Sequence, residues 1–333
     1  MDRRCILRAA VAMTCAATPM VLTIRPVSAS GPDPEDPPSV GLSLAAYPPA
    51  TAPAPEPAEA SPAFDKPFTL GLSYALVSDY VFRGINFSEY DGEGREKPNH
   101  QLTVSLDVPL GPDARYGTVG FDAWFEWYAA QHEISGDGAN IQEIDYTVRW
   151  SYDVEPIAST VTLGVIVYTF PNLDGGGTHN NDRTQEWYVS LEHNDAWLWR
   201  WAGYQGDGGV LNPSLSVYHD LHLSRGVWIE LGISHDFEIV RNVTLAPSVL
   251  FAIDGGYLGP LLKSDDHDFR YAYTQFGIDV AYDMTELLHL PDWAGSVTLS
   301  GGLSYTLSTS AVRHNDVIDG DELWGGMTVA WSW

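Results

Sequence analysis

Seven charged residues in the first half of this chain have the spacing to line one wall: Asp79 and Arg83, Asp122 and Glu126, then Glu143, Asp145 and Arg149. Within each set the intervals are even, and in an extended strand even intervals place side chains on the same face. Carboxylates and guanidinium groups gathered that way can pair into a lattice that stiffens the wall. They can also form a constriction whose charge selects the ions that pass. Along a continuous strand Asp79 and Arg83 would stand about 13 Å apart, too far to pair with each other. Each is therefore expected to pair with a neighbouring strand, with Glu143, Asp145 and Arg149 as the partners.

Other polar groups carry weaker signals. Ser214 or Ser216 with His219 or His222 could be drawn as nucleophile and base, and Ser216 shares its face with His222 but not with His219. Neither a Gly-x-Ser-x-Gly elbow nor a His-Glu-x-x-His helix accompanies them, so no catalytic residue is expected and the chain is not read as an enzyme. Two acidic runs, Asp174, His179, Asn180, Asn181 and Asp182, then Ser264, Asp265, Asp266, His267 and Asp268, could hold Ca²⁺ or bridge divalent ions to lipopolysaccharide phosphates. Their spacing matches no EF-hand or zinc pattern. Solvated loops are the expectation, with no metal and no cofactor.

The elements that must position these groups are strands. The chain closes on Met327-Thr328-Val329-Ala330-Trp331-Ser332-Trp333, where Met327, Val329, Trp331 and Trp333 fall on one face. Hydrocarbon on one side of a wall and water on the other demands that contrast. Ile144, Tyr146, Val148, Trp150 and Tyr152 against Glu143, Asp145, Thr147 and Arg149 repeat it most clearly. About 12 such segments follow Pro67, beginning with one from Phe68 to Phe87 that puts Tyr80 and Phe82 toward lipid at the outer rim. The rest lie near 102–110, 119–127, 143–152, 160–170, 184–194, 211–220, 226–237, 243–254, 269–282, 296–307 and 322–333.

An even count returns both ends to the periplasm. The segments 86–99, 129–141, 171–184, 255–268 and 308–322 then become outer loops, and 111–115, 153–159 and 237–242 periplasmic turns. The stretches 194–210 and 283–295 are long for such turns and have room for a short helix. Trp150, Tyr152, Tyr282, Trp331 and Trp333 fit a girdle at the inner rim. The expected fold is an all-β, transmembrane, antiparallel up-and-down barrel over residues 68–333. Closure is required because an open sheet would leave backbone N–H and C=O groups facing lipid at several kcal/mol each.

Composition agrees with a barrel and excludes other classes. The 333 residues carry 17 Lys and Arg against 44 Asp and Glu, a formal charge of -27, which repels nucleic acid and favours cationic or metal-bridged cargo. Beyond the N-terminus no apolar run reaches the ~18 residues of a spanning helix. Arg3, Arg4 and Arg8 precede an apolar stretch from Ala9 to Ile24, and Val27-Ser28-Ala29 offers small residues for signal-peptidase cleavage, so residues 1–29 read as an export signal. Arg3-Arg4 also suits a twin-arginine signal, but a barrel crosses the inner membrane unfolded, which favours the Sec route. Both cysteines, Cys5 and Cys15, lie in that segment, so the remainder has no thiol for disulfides, catalysis or metal. Residues 30–67 are rich in Pro and Ala and read as a disordered periplasmic linker.

Ser78-Asp79-Tyr80-Val81-Phe82-Arg83-Gly84, followed by Ser88, resembles the opening of the TorF-type porin family of Gram-negative bacteria. The resemblance implies an outer-membrane β-barrel with a pore and no established substrate. The proline-rich leader is not part of that pattern.

The expected function is passive passage of small solutes or ions, weakly cation-preferring, across the cell outer membrane. Two alternatives stay open: a structural or adhesive barrel with a side-chain-filled lumen, and a lipid-modifying enzyme. Inward Trp124, Tyr168 and Trp228 are bulky, so a narrow or plugged pore is as compatible as an open one. Expected partners are outer-membrane lipid and lipopolysaccharide, the barrel-assembly machinery through Trp333, and a second copy of the chain.

Overall fold

A computed structural model describes residues 67–86, 98–128, 141–171, 183–258, 268–309 and 321–333. Twelve strands run up and down in chain order: β1 Thr69–Val77, β2 Asn99–Pro109, β3 Thr118–Tyr128, β4 Ile141–Val154, β5 Ser159–Thr169, β6 Arg183–His193, β7 Ser214–Asp220, β8 Val227–Ser234, β9 Val243–Gly255, β10 Phe269–Asp283, β11 Ser296–Ser308 and β12 Glu322–Ser332. A break at His235-Asp236 interrupts β8, and Phe237–Val240 continues it against the start of β9. The turn expected over 237–242 therefore shrinks to Arg241 and Asn242. Each strand pairs antiparallel with the next, and β12 pairs with β1 from Gly71↔Ser332 to Val77↔Gly326. The sheet is closed, so no edge faces lipid.

Side-chain parity sorts the wall. Leu72, Leu76, Phe121, Tyr146, Val148, Val165, Phe276, Ile278 and Val329 are exposed on the outside, an apolar belt that only hydrocarbon accepts. Glu143, Asp145, Thr147 and Arg149 are buried on the inside of β4, as the alternation requires. A closed antiparallel barrel with this exterior is a transmembrane barrel of the bacterial outer-membrane type.

At the rim where β1 begins and β12 ends, indole N–H groups bond to turn carbonyls: Trp150 to Tyr116 at 2.8 Å, Trp331 to Ala294 at 2.8 Å and Trp333 to Trp293 at 2.7 Å. Each ring keeps its apolar body in the belt while its one donor is satisfied, the arrangement that suits a membrane interface. The connection from β6 to β7 contains the short helix Ala196–Trp199 and the 3₁₀ turn Arg200–Ala202, and 283–295 contains another, Asp292–Ala294. Trp197, Trp201 and Trp293 are exposed on these connections, at the level where amphipathic rings anchor a barrel.

Asp195 holds the β6–β7 connection together. Its carboxylate accepts from Trp199 Nε1 at 2.7 Å and from the backbone N–H groups of Val210, Leu211 and Asn212 at 2.7, 3.0 and 3.2 Å. Burial alone would raise its pKa, but these donors outweigh burial and lower it below the ordinary value. A depressed carboxylate contributes stability that is complete above about pH 4 and lost as pH falls through the lower, folded value. Protease cleavage within 196–209 should accordingly stay flat from neutral pH to about 4 and rise below it. Asp195→Ala should show the acid-level cleavage already at pH 7, at least tenfold above wild type, the ratio given by about 1.4 kcal/mol. Identical cleavage in the two proteins would contradict the clamp.

Toward the same rim the inward residues are small hydroxyls. Ser151 meets Thr162 at 2.9 Å and Ser190 meets Ser216 at 2.8 Å, with Thr298 and Ser300 also buried inside. The large buried side chains lie elsewhere. They gather in the outer half of the lumen, where the molecule has its core.

Candidate functional site: a hairpin folded into the barrel

β1 ends at Val77, ten residues before the sequence pattern does. A strand from Phe68 to Phe87 would be roughly twice the ~10 residues that cross a membrane. Instead the chain turns inward at Ser78-Asp79 and forms a two-stranded hairpin, Val81–Phe82 against Ile85–Asn86. Arg83 and Gly84 are its turn, with φ of +49° and +80°. Positive φ at both central residues is the I′ geometry whose twist matches a hairpin. Gly84 is needed twice over, because a Cβ there would also stand 2.7 Å from the Tyr273 ring. Arg83 lacks that freedom, and a non-glycine residue in this region costs about 1–2 kcal/mol. Its side-chain contacts must supply the compensation.

Those contacts reach across the lumen. Arg83 Nη2 donates to Glu186 Oε1 on β6 at 2.8 Å, with both side chains fully buried. The guanidinium carbon lies 3.8 Å from the Tyr257 ring centre, 5.1 Å from Tyr218 on β7 and 5.3 Å from Trp228 on β8. Tyr168 on β5 donates its hydroxyl to the second Glu186 oxygen at 2.5 Å. Tyr80 donates to Glu143 at 3.0 Å and its ring packs against Trp124 at 5.7 Å. Asn86 donates to Asp79 at 3.2 Å and to Glu322 on β12 at 3.3 Å, while Ser308 on β11 bonds the Gly84 carbonyl at 3.2 Å.

Tyr80, Phe82 and Ile85 belong to one buried cluster with Trp124, Tyr168, Tyr218, Trp228, Tyr257 and Tyr273. This corrects the expectation for the first strand in three ways. Tyr80 and Phe82 are 3% and 5% exposed and face the lumen, not lipid. Asp79 and Arg83 do not lie on a common strand wall. Finally, Arg83 pairs with Glu186, and not with Glu143, Asp145 or Arg149.

All seven charged residues singled out from the sequence are nonetheless buried inside the barrel. Glu126 accepts from Asn99 Nδ2 and pairs in register with Glu143, while Asp145 lies between Trp124 and Tyr168. Arg149 forms a separate centre. Its Nη1 reaches Asp107 on β2 at 2.6 Å and its Nε lies 3.4 Å from Asp122 on β3. Gly120 sits between Asp107 and Arg149 in the register. A Cβ there would fall 1.2 Å from Arg149 Nη1, so the glycine is the space through which the two side chains meet.

Several site residues were not singled out from the sequence: Glu186, Tyr218, Tyr257, Asp254 and Arg270. Glu186 shares parity with Thr184, Tyr188 and Ser190, which identifies it as inward. Nothing local marks it as the partner of a turn 103 residues earlier. Asp254 accepts from Arg270 Nη2 at 2.8 Å and from the backbone of Leu258 at 3.1 Å, which draws Tyr257 over the lumen from the end of β9.

The pairing drawn for a hydrolase is not assembled. Ser216 bonds Ser190, His219 meets the Gly226 carbonyl at 3.1 Å, and His222 lies past the end of β7, with its backbone bonded to Asp220. Of the two acidic runs only Asp268 lies among the described residues, exposed just before β10. The others, the export signal and the Pro/Ala-rich leader lie outside them.

No family model matches the chain, and no curated protein does. The resemblance to TorF-type porins therefore rests on the motif residues themselves. Similar solved structures are outer-membrane barrels. An outer-membrane channel from Pseudomonas putida F1 has a TM-score of 0.46 at 11% identity, covering 84% of this chain and all of that one. The NanC porin has a TM-score of 0.42 at 11% identity, covering 79% and 98%. Escherichia coli outer-membrane phospholipase A has a TM-score of 0.38 at 12% identity, covering 79% and 92%. These likenesses are too low to add to the topology read from the strand pairing.

Proposed function

We propose that this protein is an outer-membrane channel for small solutes, cation-preferring, whose resting conductance is limited by the hairpin at Asp79–Asn86. The observation that carries the reading is the hairpin itself, a separate element seated in the lumen of a twelve-stranded wall. Barrels of about eight strands are filled by their own side chains, and those of sixteen or more hold an aqueous channel. Twelve strands leave an interior that an added element can fill.

Charge supports the cation preference. Besides the five acids singled out from the sequence, the interior buries Glu186, Asp220, Glu230 and Asp254, against two buried guanidinium groups among the described residues, Arg83 and Arg149. An acid-lined passage concentrates cations and repels anions. Reconstituted in planar bilayers under a KCl gradient, the protein should give a reversal potential with the sign of the potassium equilibrium potential. A reversal potential of the opposite sign would remove the preference.

A filled structural barrel is the second reading, and the aromatic cluster around the hairpin favours it. The two differ in the effect of removing the hairpin: a channel opens, whereas a barrel filled by its wall residues stays shut. Lipopolysaccharide at the rim and delivery by the assembly machinery through Trp333 remain part of the proposed setting.

A further inference from the structure

We infer that the cage around Arg83 is a binding site for weakly hydrated organic cations, quaternary ammonium or guanidinium groups, and that Arg83 occupies it as a built-in surrogate ligand. The cage and its occupant come from different parts of the chain. Tyr218, Trp228 and Glu186 stand on barrel strands β7, β8 and β6, and Tyr257 is held over them through the Asp254 region of β9. Only the cation arrives on the hairpin, at a turn residue held in the left-handed region. Withdrawal of the hairpin would leave the rings and the carboxylate in place.

The cage's chemistry selects the class of ligand. Three aromatic faces outside the hairpin within 3.8–5.3 Å of the guanidinium carbon, beside the hairpin's own Phe82 at 4.7 Å, and one carboxylate at 2.8 Å provide charge and surface but few acceptors. Arg83 Nε and Nη1 are buried and have no hydrogen-bond partner among the described residues. A strongly hydrated ion such as Na⁺ or NH₄⁺ would lose its water there with too little return. A methylated ammonium or a guanidinium suits ring faces, because its charge is spread and its hydration weak. As a site of transport the cage rests on the channel reading. As a binding site it stands alone.

Calorimetric titration of the full chain in detergent, with tetramethylammonium chloride and methylguanidinium chloride as probes and NaCl at matched ionic strength as control, tests the site. Arg83→Ala empties the cage and should bind both organic cations at least tenfold more tightly than wild type does, while NaCl gives no saturable heat. Adding Trp228→Leu or Glu186→Gln to Arg83→Ala should weaken that binding at least tenfold. Folding of each variant is read by heat-modifiable gel mobility. No binding to folded Arg83→Ala, or binding indifferent to Trp228 and Glu186, would overturn the inference.

Should Arg83→Ala not fold, a Val81→Cys protein with the native hairpin gives the answer. Tetramethylammonium should speed maleimide labelling at residue 81, located by peptide mass, and matched NaCl should not; equal rates would overturn the inference. Binding is read without a bilayer, so its failure leaves the conductance results intact, and a silent bilayer leaves the binding results intact.

Discussion

Replacing Asp79–Asn86 with two glycines should raise single-channel conductance on the order of tenfold, as expected when a lumen blocked at one level becomes continuous water. The barrel itself should survive. Ser78 and residues 87–98 still bridge β1 and β2, and the nine paired positions from Thr69↔Asp107 to Val77↔Asn99 are untouched. What is lost is the contact of Tyr80, Phe82 and Ile85 with the interior rings, together with the only buried cation in that half of the barrel among the described residues. Conductance equal to wild type in the folded deletion protein would mean that Trp124, Tyr168 and Trp228 close the lumen unaided. The structural reading would then replace the channel.

The second large effect concerns stability. Glu186→Ala removes the carboxylate from a fully buried guanidinium, and stranding one member of a buried ion pair costs about 3–5 kcal/mol. Tyr168 loses its acceptor in the same step. Exchanging both members for neutral groups avoids the stranded charge, so Arg83→Met with Glu186→Gln should cost far less than Glu186→Ala alone. Urea unfolding in lipid vesicles measures both. A Glu186→Ala protein within about 1 kcal/mol of wild type would show that the ring faces alone hold the guanidinium, since exposed pairs contribute no more than that.

The contrast between wall and hairpin explains how much of this protein was legible in its sequence. Strands such as β4 and β12 declare themselves because two solvents, lipid and water, impose a period of two on every residue between the rims. β3 and β5 to β11 emerge within a few residues of their expected ends for the same reason. The hairpin obeys no such constraint. Tyr80 and Phe82 continue the even-numbered phase of Leu72, Tyr74 and Leu76, so the pattern reads on as one strand although the chain has turned inward. Two local signals pointed the other way: the length of the run, and Arg83-Gly84 as a two-residue turn.

The candidate site divides along the same line. Inward parity was enough to bury the five on the wall, Asp122, Glu126, Glu143, Asp145 and Arg149, because it depends only on which face a residue occupies; Asp79 and Arg83 are buried because the hairpin folds inward. Pairing depends on which strands the closed wall sets opposite one another, and no short stretch of sequence holds that information. Arg83 with Glu186 is of this kind, whereas Arg149 with Asp107 depends on the register of three consecutive strands through Gly120.

The hairpin leaves the first strand, yet its anchors are scattered from Glu143 on β4 to Glu322 on β12. Its socket does not exist until the last ribbon has joined the first. The hairpin can therefore reach its full set of anchors only once the last strand lies beside the first. Until the cylinder is joined, the hairpin lacks its Glu322 anchor.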